Sequence, residues 1–95
     1  MAHALIIHPK DNVAVVTTAV SKGSMVECAE DGKILYQIVA AEDIPVYHKI
    51  ALESIPENAE VKKYGCVIGL ATSPIPQGTH VHCHNVISRS LKEEA

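Results

Sequence analysis

A seven-residue pattern occurs three times along this chain, at Val20-Ser-Lys-Gly23-Ser-Met-Val26, Ile55-Pro-Glu-Asn58-Ala-Glu-Val61 and Ile75-Pro-Gln-Gly78-Thr-His-Val81. Each copy is bounded by β-branched residues and carries Gly, Asn or Gly at its centre. Those residue types enter the left-handed backbone region at least cost, as a tight reversal between strands often requires. Pro56 and Pro76 preset φ where two of the reversals begin. Five residues before each copy stands a further apolar residue, Val15, Ile50 or Leu70, inside the short apolar stretches 12–17, 48–52 and 67–71. The pattern predicts three strand–turn–strand units on one plan, with chance recurrence of common turn residues as the alternative.

Asp31-Gly32, set between Val26 and the apolar run 34–39, is a strong short hairpin signal. Short strands at this spacing build a mostly β, compact single domain, a barrel or a sandwich. Residues 40–43 are expected as a helical turn. The charged tail 88–95 is expected to be frayed or briefly helical.

Composition agrees. Val and Ile together number 21 against 5 Leu, and there is no Phe or Trp, so the core has to be aliphatic. Branched side chains are stiff at χ1 and suit a pleated surface. With 95 residues there is room for one domain spanning 1–95. The net charge of −3, with no basic stripe, speaks against nucleic acid as a partner. No apolar run is long enough to cross a bilayer, and no leader pattern is visible. The three cysteines, Cys28, Cys66 and Cys83, form no CxxC pair. Their odd number points to reduced thiols in the cytoplasm, each acting as a small core hydrophobe.

The chemistry gathers at histidines. His80, His82 and His84 fall at every second position. On a strand that spacing puts all three on one face, with neighbouring Cα atoms about 6.6–7 Å apart, and leaves Val81 and Cys83 for the core. Two imidazoles so placed can converge on one divalent cation, although three histidines on an exposed strand are also ordinary polar surface. His48-Lys49 offers a titratable base beside a fixed cation, which proton abstraction next to a carboxylate needs. Lys62-Lys63-Tyr64-Gly65 adds a second basic spot; for both, a solvated lysine is the plain alternative. Asp11-Asn12 can cap a turn through side-chain oxygens. His3 and His8 carry no usable spacing. GxGxxG, Walker-type, GxSxG and HExxH patterns are absent, so a nucleotide fold or serine hydrolase finds no support.

Taken in order, Asp11-Asn-Val-Ala-Val15, His48-Lys-Ile-Ala-Leu52, Val61-Lys-Lys-Tyr-Gly65, Ile68-Gly69 and Gly78-Thr-His-Val-His82-Cys-His84-Asn85 resemble the SAF-type N-terminal domain of the altronate/galactarate dehydratase family. They are also similar to the small subunit of sulfolactate sulfo-lyase. The likeness runs from about Ile6 to Val86. One departure is Tyr47, where a glycine often precedes the His-Lys pair, and this puts the backbone turn there in question.

The resemblance implies a β-clip fold and a much larger catalytic polypeptide as partner, with a small hydroxy-acid substrate; the lack of a long apolar run adds the expectation of no membrane. The resemblance also implies a divalent metal, iron or manganese, shared with that partner. It carries over His48, Lys49 and His82 as catalytic residues, Lys63, Tyr64 and Asn85 as substrate-binding residues, and His82 and His84 as metal ligands. The implied reaction is β-elimination, releasing water from a sugar acid such as altronate, or sulfite from sulfolactate. In this scheme Lys49 holds the anionic substrate, and the isolated chain is inactive. Two other readings stand beside it: a carbohydrate-binding module without a catalytic role, and a free-standing metal-binding protein. A homo-oligomer is a further alternative.

Overall fold

The computed structural model describes residues 2–88, all of whose regular structure is strand. The strands are β1 (Ala2–Leu5), β2 (Val13–Val16), β3 (Met25–Glu30), β4 (Lys33–Val39), β5 (Lys49–Ala51), β6 (Glu60–Lys63), β7 (Cys66–Ala71), β8 (His80–Val81) and β9 (Val86–Ile87). Six of them form one sheet in the order β4-β3-β1-β2-β5-β8, and the others a three-stranded sheet, β6-β7-β9. No helix among the described residues is long and apolar enough to cross a membrane. Residues 40–43, expected as a helical turn, hold no helix; Ala41 and Glu42 form a bend leading to Ile44. Of the tail expected to fray, residues 89–95 lie outside the described residues.

The repeat proves to have four copies. Ile44-Pro-Val-Tyr47-His-Lys-Ile50 matches the plan except for tyrosine at its centre, and the backbone treats all four alike. The central residue has positive φ in every copy: 88° at Gly23, 67° at Tyr47, 69° at Asn58 and 86° at Gly78. So the turn survives at Tyr47 without glycine. In each copy the fifth residue donates its N–H to the carbonyl of the second, at Ser24–Ser21, His48–Pro45, Ala59–Pro56 and Thr79–Pro76. The central N–H instead reaches another segment, from Gly23 to Ala40, Tyr47 to Val16, Asn58 to Ala71 and Gly78 to Ala51. A reversal that satisfies its own amides this way can be buried at both ends. The flanking β-branched residues are accordingly all buried.

The copies work in pairs. Val20 bridges Ile44, and Ile55 bridges Ile75, through reciprocal backbone hydrogen bonds of 2.8 to 2.9 Å. The first pair closes a core of Val20, Val26, Ile44 and Ile50 with Val16 and Leu52, and the second closes a core of Ile55, Val61, Ile75 and Val81 with Val13. Both cores are aliphatic, as the missing Phe and Trp require. Strand β5 joins them, with Ile50 in the first core and Ala51 in the second. The Asp31-Gly32 hairpin is present, with φ of 51° and 78° and Glu30 paired to Lys33. Positive φ at both central residues is what a two-residue type I′ turn demands. Among the cysteines only Cys28 is a core residue; Cys66 and Cys83 are exposed.

Candidate functional site: an imidazole cluster at the seam of the two cores

Strand β5 runs antiparallel to β8, with Lys49 opposite Val81 and Ile50 opposite His80. Continuing that register by one place sets His48 across from His82 and diagonal to His80. Cross-strand neighbours of this kind touch. The His48 and His82 rings stack with centroids 4.2 Å apart, and His48 Nδ1 lies 2.8 Å from His80 Nε2. One of those two nitrogens donates and the other accepts, according to tautomer. His80 and His82 are 5.7 Å apart between centroids, and His84 stands 5.1 Å from His80. Residues 32 to 34 apart in sequence are thus brought together by two copies of the repeat, 44–50 and 75–81.

Beyond Val81 the strand stops, so the expected one-face ladder of His80, His82 and His84 is not what forms. Residues 82–85 make a turn in which Asn85 N–H donates to the His82 carbonyl at 3.1 Å. Asn85 also accepts from His82 N–H at 2.9 Å and donates its Nδ2 to the His80 carbonyl at 2.9 Å. An asparagine side chain mimicking backbone in this way competes with the strand ladder and ends it. The turn takes Cys83 to the surface rather than the core. Asn85 itself is buried at 6% exposure with both ends of its amide engaged on backbone, so it shapes the loop that carries the histidines.

The cluster is electrically self-repelling. Burial, then the charges of His84 and His48, hold His80 below the usual imidazole range, with Glu42 opposing. Burial followed by His48, Lys49 and His84 does the same to His82. Both shifts favour neutral rings, the form that accepts a proton or a cation. Lys49, the next residue along β5, is lowered by burial and then by Lys63, while Cys83 opposes. Lys63 of β6 is thus one of the charges that Lys49 feels. The Lys63 ammonium in turn lies 4.7 Å from the centre of the Tyr64 ring.

Tyr64-Gly65 is the turn of the β6–β7 hairpin, with φ of 56° and 75° and Lys63 paired to Cys66. It is held by Asp11, which accepts N–H bonds from Tyr64 at 3.0 Å, Gly65 at 2.7 Å and His8 at 3.2 Å. Asn12 accepts from Lys62 N–H at 2.8 Å and donates to the Glu60 carbonyl at 2.9 Å. The expected turn cap is therefore present, but it caps a hairpin 53 residues away. Sequence reasoning missed His80 as a partner of His48, and Asp11 as the support of Lys63 and Tyr64. A full count of the repeat would have put both His48 and His80 in copies of one plan, but their pairing follows only from the β5–β8 register.

His48, His80 and His82 offer ligand atoms all within 4.8 Å of one another. The expected metal pair was His82 and His84; His84 lies outside this group. Two nitrogens bound about 2.1 Å from one ion are roughly 3.0–3.4 Å apart. The 2.8 Å pair of His48 and His80 is already near that spacing. The donor set is all imidazole, which suits iron and zinc better than manganese, an ion that favours oxygen. These residues fit iron, and fit manganese only with oxygen ligands from elsewhere.

The described residues thus form an all-strand domain whose four reversals are anchored by buried flanking residues, and two of these reversals bring the imidazoles together. The sequence model of the altronate/galactarate dehydratase SAF domain matches residues 2–89. The chain belongs to that family. Altronate dehydratase of Bacillus subtilis is 39% identical over 79 residues, covering 83% of this chain and 15% of that protein. Altronate dehydratase of Escherichia coli is 42% identical over 79 residues, with the same shares. The (2R)-sulfolactate sulfo-lyase subunit alpha of Chromohalobacter salexigens is 34% identical over 89 residues, covering 90% of this chain and 95% of that one. The chain thus spans about 15% of the dehydratases it matches and nearly all of the sulfo-lyase subunit.

Proposed function

We propose that this chain is the small β component of a lyase that eliminates water or sulfite from a hydroxy acid or sugar acid, working with a much larger polypeptide. One observation carries the reading: in a family whose relatives are named as lyases, the fold stacks His48 on His82 beside Lys49. The likeness to a relative named as a subunit, the sulfo-lyase subunit alpha, 95% of which is covered, supports a partner.

In a β-elimination the proton α to the carboxylate leaves, its bonding pair becomes the carbon–carbon double bond, and the β substituent departs with its own pair. The imidazoles of His48 and His82, stacked beside Lys49, are placed to move protons to and from the substrate. The Lys49 ammonium faces the substrate carboxylate and the charge that grows on it. Lys63 and Tyr64, on the neighbouring hairpin, hold the far end of the acid. Asn85 keeps the His80 and His82 backbone in place. A divalent cation shared with the larger polypeptide, iron in preference to manganese, would be held from this chain by His82 and would supply charge stabilisation at the carboxylate and adjacent oxygen; with it bound, proton transfer falls to His48.

The test is reconstitution with the larger polypeptide. Replacing His82 with Ala is expected to cut turnover by on the order of 10² or more. Unchanged turnover removes His82 from the reaction. Full activity of the larger polypeptide alone would make this chain a binding module instead.

A further inference from the structure

We infer that His48, His80 and His82 form a three-imidazole cation site that this chain completes by itself, taking borderline divalent ions such as ferrous iron, cobalt and zinc. The inference rests on the reading above for what the site faces, and it moves His48 from proton transfer to ligation.

The geometry has three supports. The ligand atoms already lie within 4.8 Å of one another, and the closest pair, His48 Nδ1 and His80 Nε2, stands at 2.8 Å. That pair shares one proton. An ion entering between the nitrogens takes the proton's place with little ring movement, and the proton moves to the other nitrogen of the ring that carried it.

Second, each imidazole is mounted on backbone that is fixed independently of any ion. His48 donates its N–H to the Pro45 carbonyl inside the copy centred on Tyr47. The His80 carbonyl and the His82 N–H are both held by the buried Asn85. Ligands so anchored lose little freedom on binding, which is the condition for a site built before the metal arrives.

Third, the three rings are half-buried, so the cluster remains open to solvent. Three protein ligands leave open positions on a four- to six-coordinate ion. A carboxylate and neighbouring hydroxyl of the substrate can fill them, with Lys49 alongside to receive the anion. An all-nitrogen set ranks cobalt, zinc and ferrous iron above manganese. His84, although 5.1 Å from His80 between ring centres, is not among the converging groups and stands as a bystander.

The experiment uses the full 95-residue chain, free of any affinity tag and stripped with chelator. Co2+ is titrated by its visible absorption, and Zn2+ and Mn2+ by calorimetry. A single ion per chain is expected, with Mn2+ bound at least about tenfold more weakly than Zn2+. His80→Asn and His82→Asn should each weaken Co2+ binding by about 100-fold or more. His84→Asn should change it by less than about fivefold, and His3→Asn, on β1, not at all. Circular dichroism and urea melts verify that each variant folds. Absence of binding overturns the site, as does a loss at His84→Asn equal to that at His80→Asn. Because binding is read on the chain alone, the two readings fail separately. No binding together with a turnover defect in assembled His82→Ala removes the cation site and keeps the lyase reading; tight binding with undiminished turnover does the reverse.

Discussion

Nδ1 of His48 and Nε2 of His80 lie 2.8 Å apart, although 32 residues separate them in the chain. Only the β5–β8 register brings them together, so the cluster forms when the chain folds and its protonation is tied to folding. Burial and like charges hold His80 and His82 below the ordinary value of 6.5. The unfolded chain takes up these protons near 6.5 and the folded chain only at lower pH. Between those points the unfolded state binds more protons, so stability falls as pH falls. Urea unfolding midpoints are expected to drop between about pH 7 and about pH 5.5 from this cause, and less steeply in His80→Asn. A mutant profile parallel to that of the parent chain would show that the cluster is not the source.

Gly23 and Gly78 occupy the same place in two copies of the repeat and have nearly the same φ, 88° and 86°. Their surroundings differ. A Cβ on Gly23 would meet nothing within 4 Å, whereas one on Gly78 would collide with the Val39 carbonyl oxygen and crowd the Ala41 amide. Gly23→Ala is expected to cost about 1–2 kcal/mol, the left-handed penalty alone. Gly78→Ala adds displacement of backbone and should exceed about 3 kcal/mol. Chemical denaturation of the two variants compares them directly. Equal losses would mean that the Val39 strand yields freely.

How far the fold was legible follows from what sets each feature. Turns written in Gly, Asn and Asp-Gly were readable because local sterics decide them. The copy at Ile44–Ile50 was hidden because Tyr47 does not announce positive φ; its neighbours impose it, through the bond from its own N–H to the Val16 carbonyl and the Ile44–Val20 bridge. The His80–His82–His84 spacing pointed to the correct place but the wrong geometry, since the periodicity says nothing of Asn85 folding back to end the strand. The nearness of His48 to His82 followed from the family likeness, and that of His48 to His80 from neither. Cross-strand register is a long-range property, and no local pattern around residue 48 encodes residue 80.

Asp11 is buried at 7% exposure and accepts three backbone N–H bonds, two of them from the Tyr64-Gly65 turn. Removing the carboxylate leaves those donors without their partner while the hairpin stays otherwise packed. Asp11→Ala is expected to destabilise the chain by on the order of 3 kcal/mol, and Asp11→Asn by less, since its one amide oxygen still accepts. Amide exchange at Tyr64 and Gly65 should accelerate in Asp11→Ala more than at Val26, in the other core. Uniform acceleration at all sites would show that the bond serves global stability without a local hold on the hairpin.

Asn85 offers the sharpest separation of structure from chemistry, because it touches the site only through backbone. Its oxygen accepts from His82 N–H and its nitrogen donates to the His80 carbonyl, each at 2.9 Å. Asn85→Ala removes both bonds and costs about 1–3 kcal/mol. Asn85→Asp keeps the acceptor for His82 N–H, but sets a carboxylate oxygen against the His80 carbonyl in place of the lost donor. If Asn85 fixes the spacing of the imidazoles, both variants should lower the affinity of the full chain for Co2+. The alanine change, which frees His82 as well as His80, should do so more. A group bound directly to substrate would instead leave Co2+ affinity untouched while raising KM in the assembled enzyme. Measuring both quantities on the same two variants decides which part the residue plays.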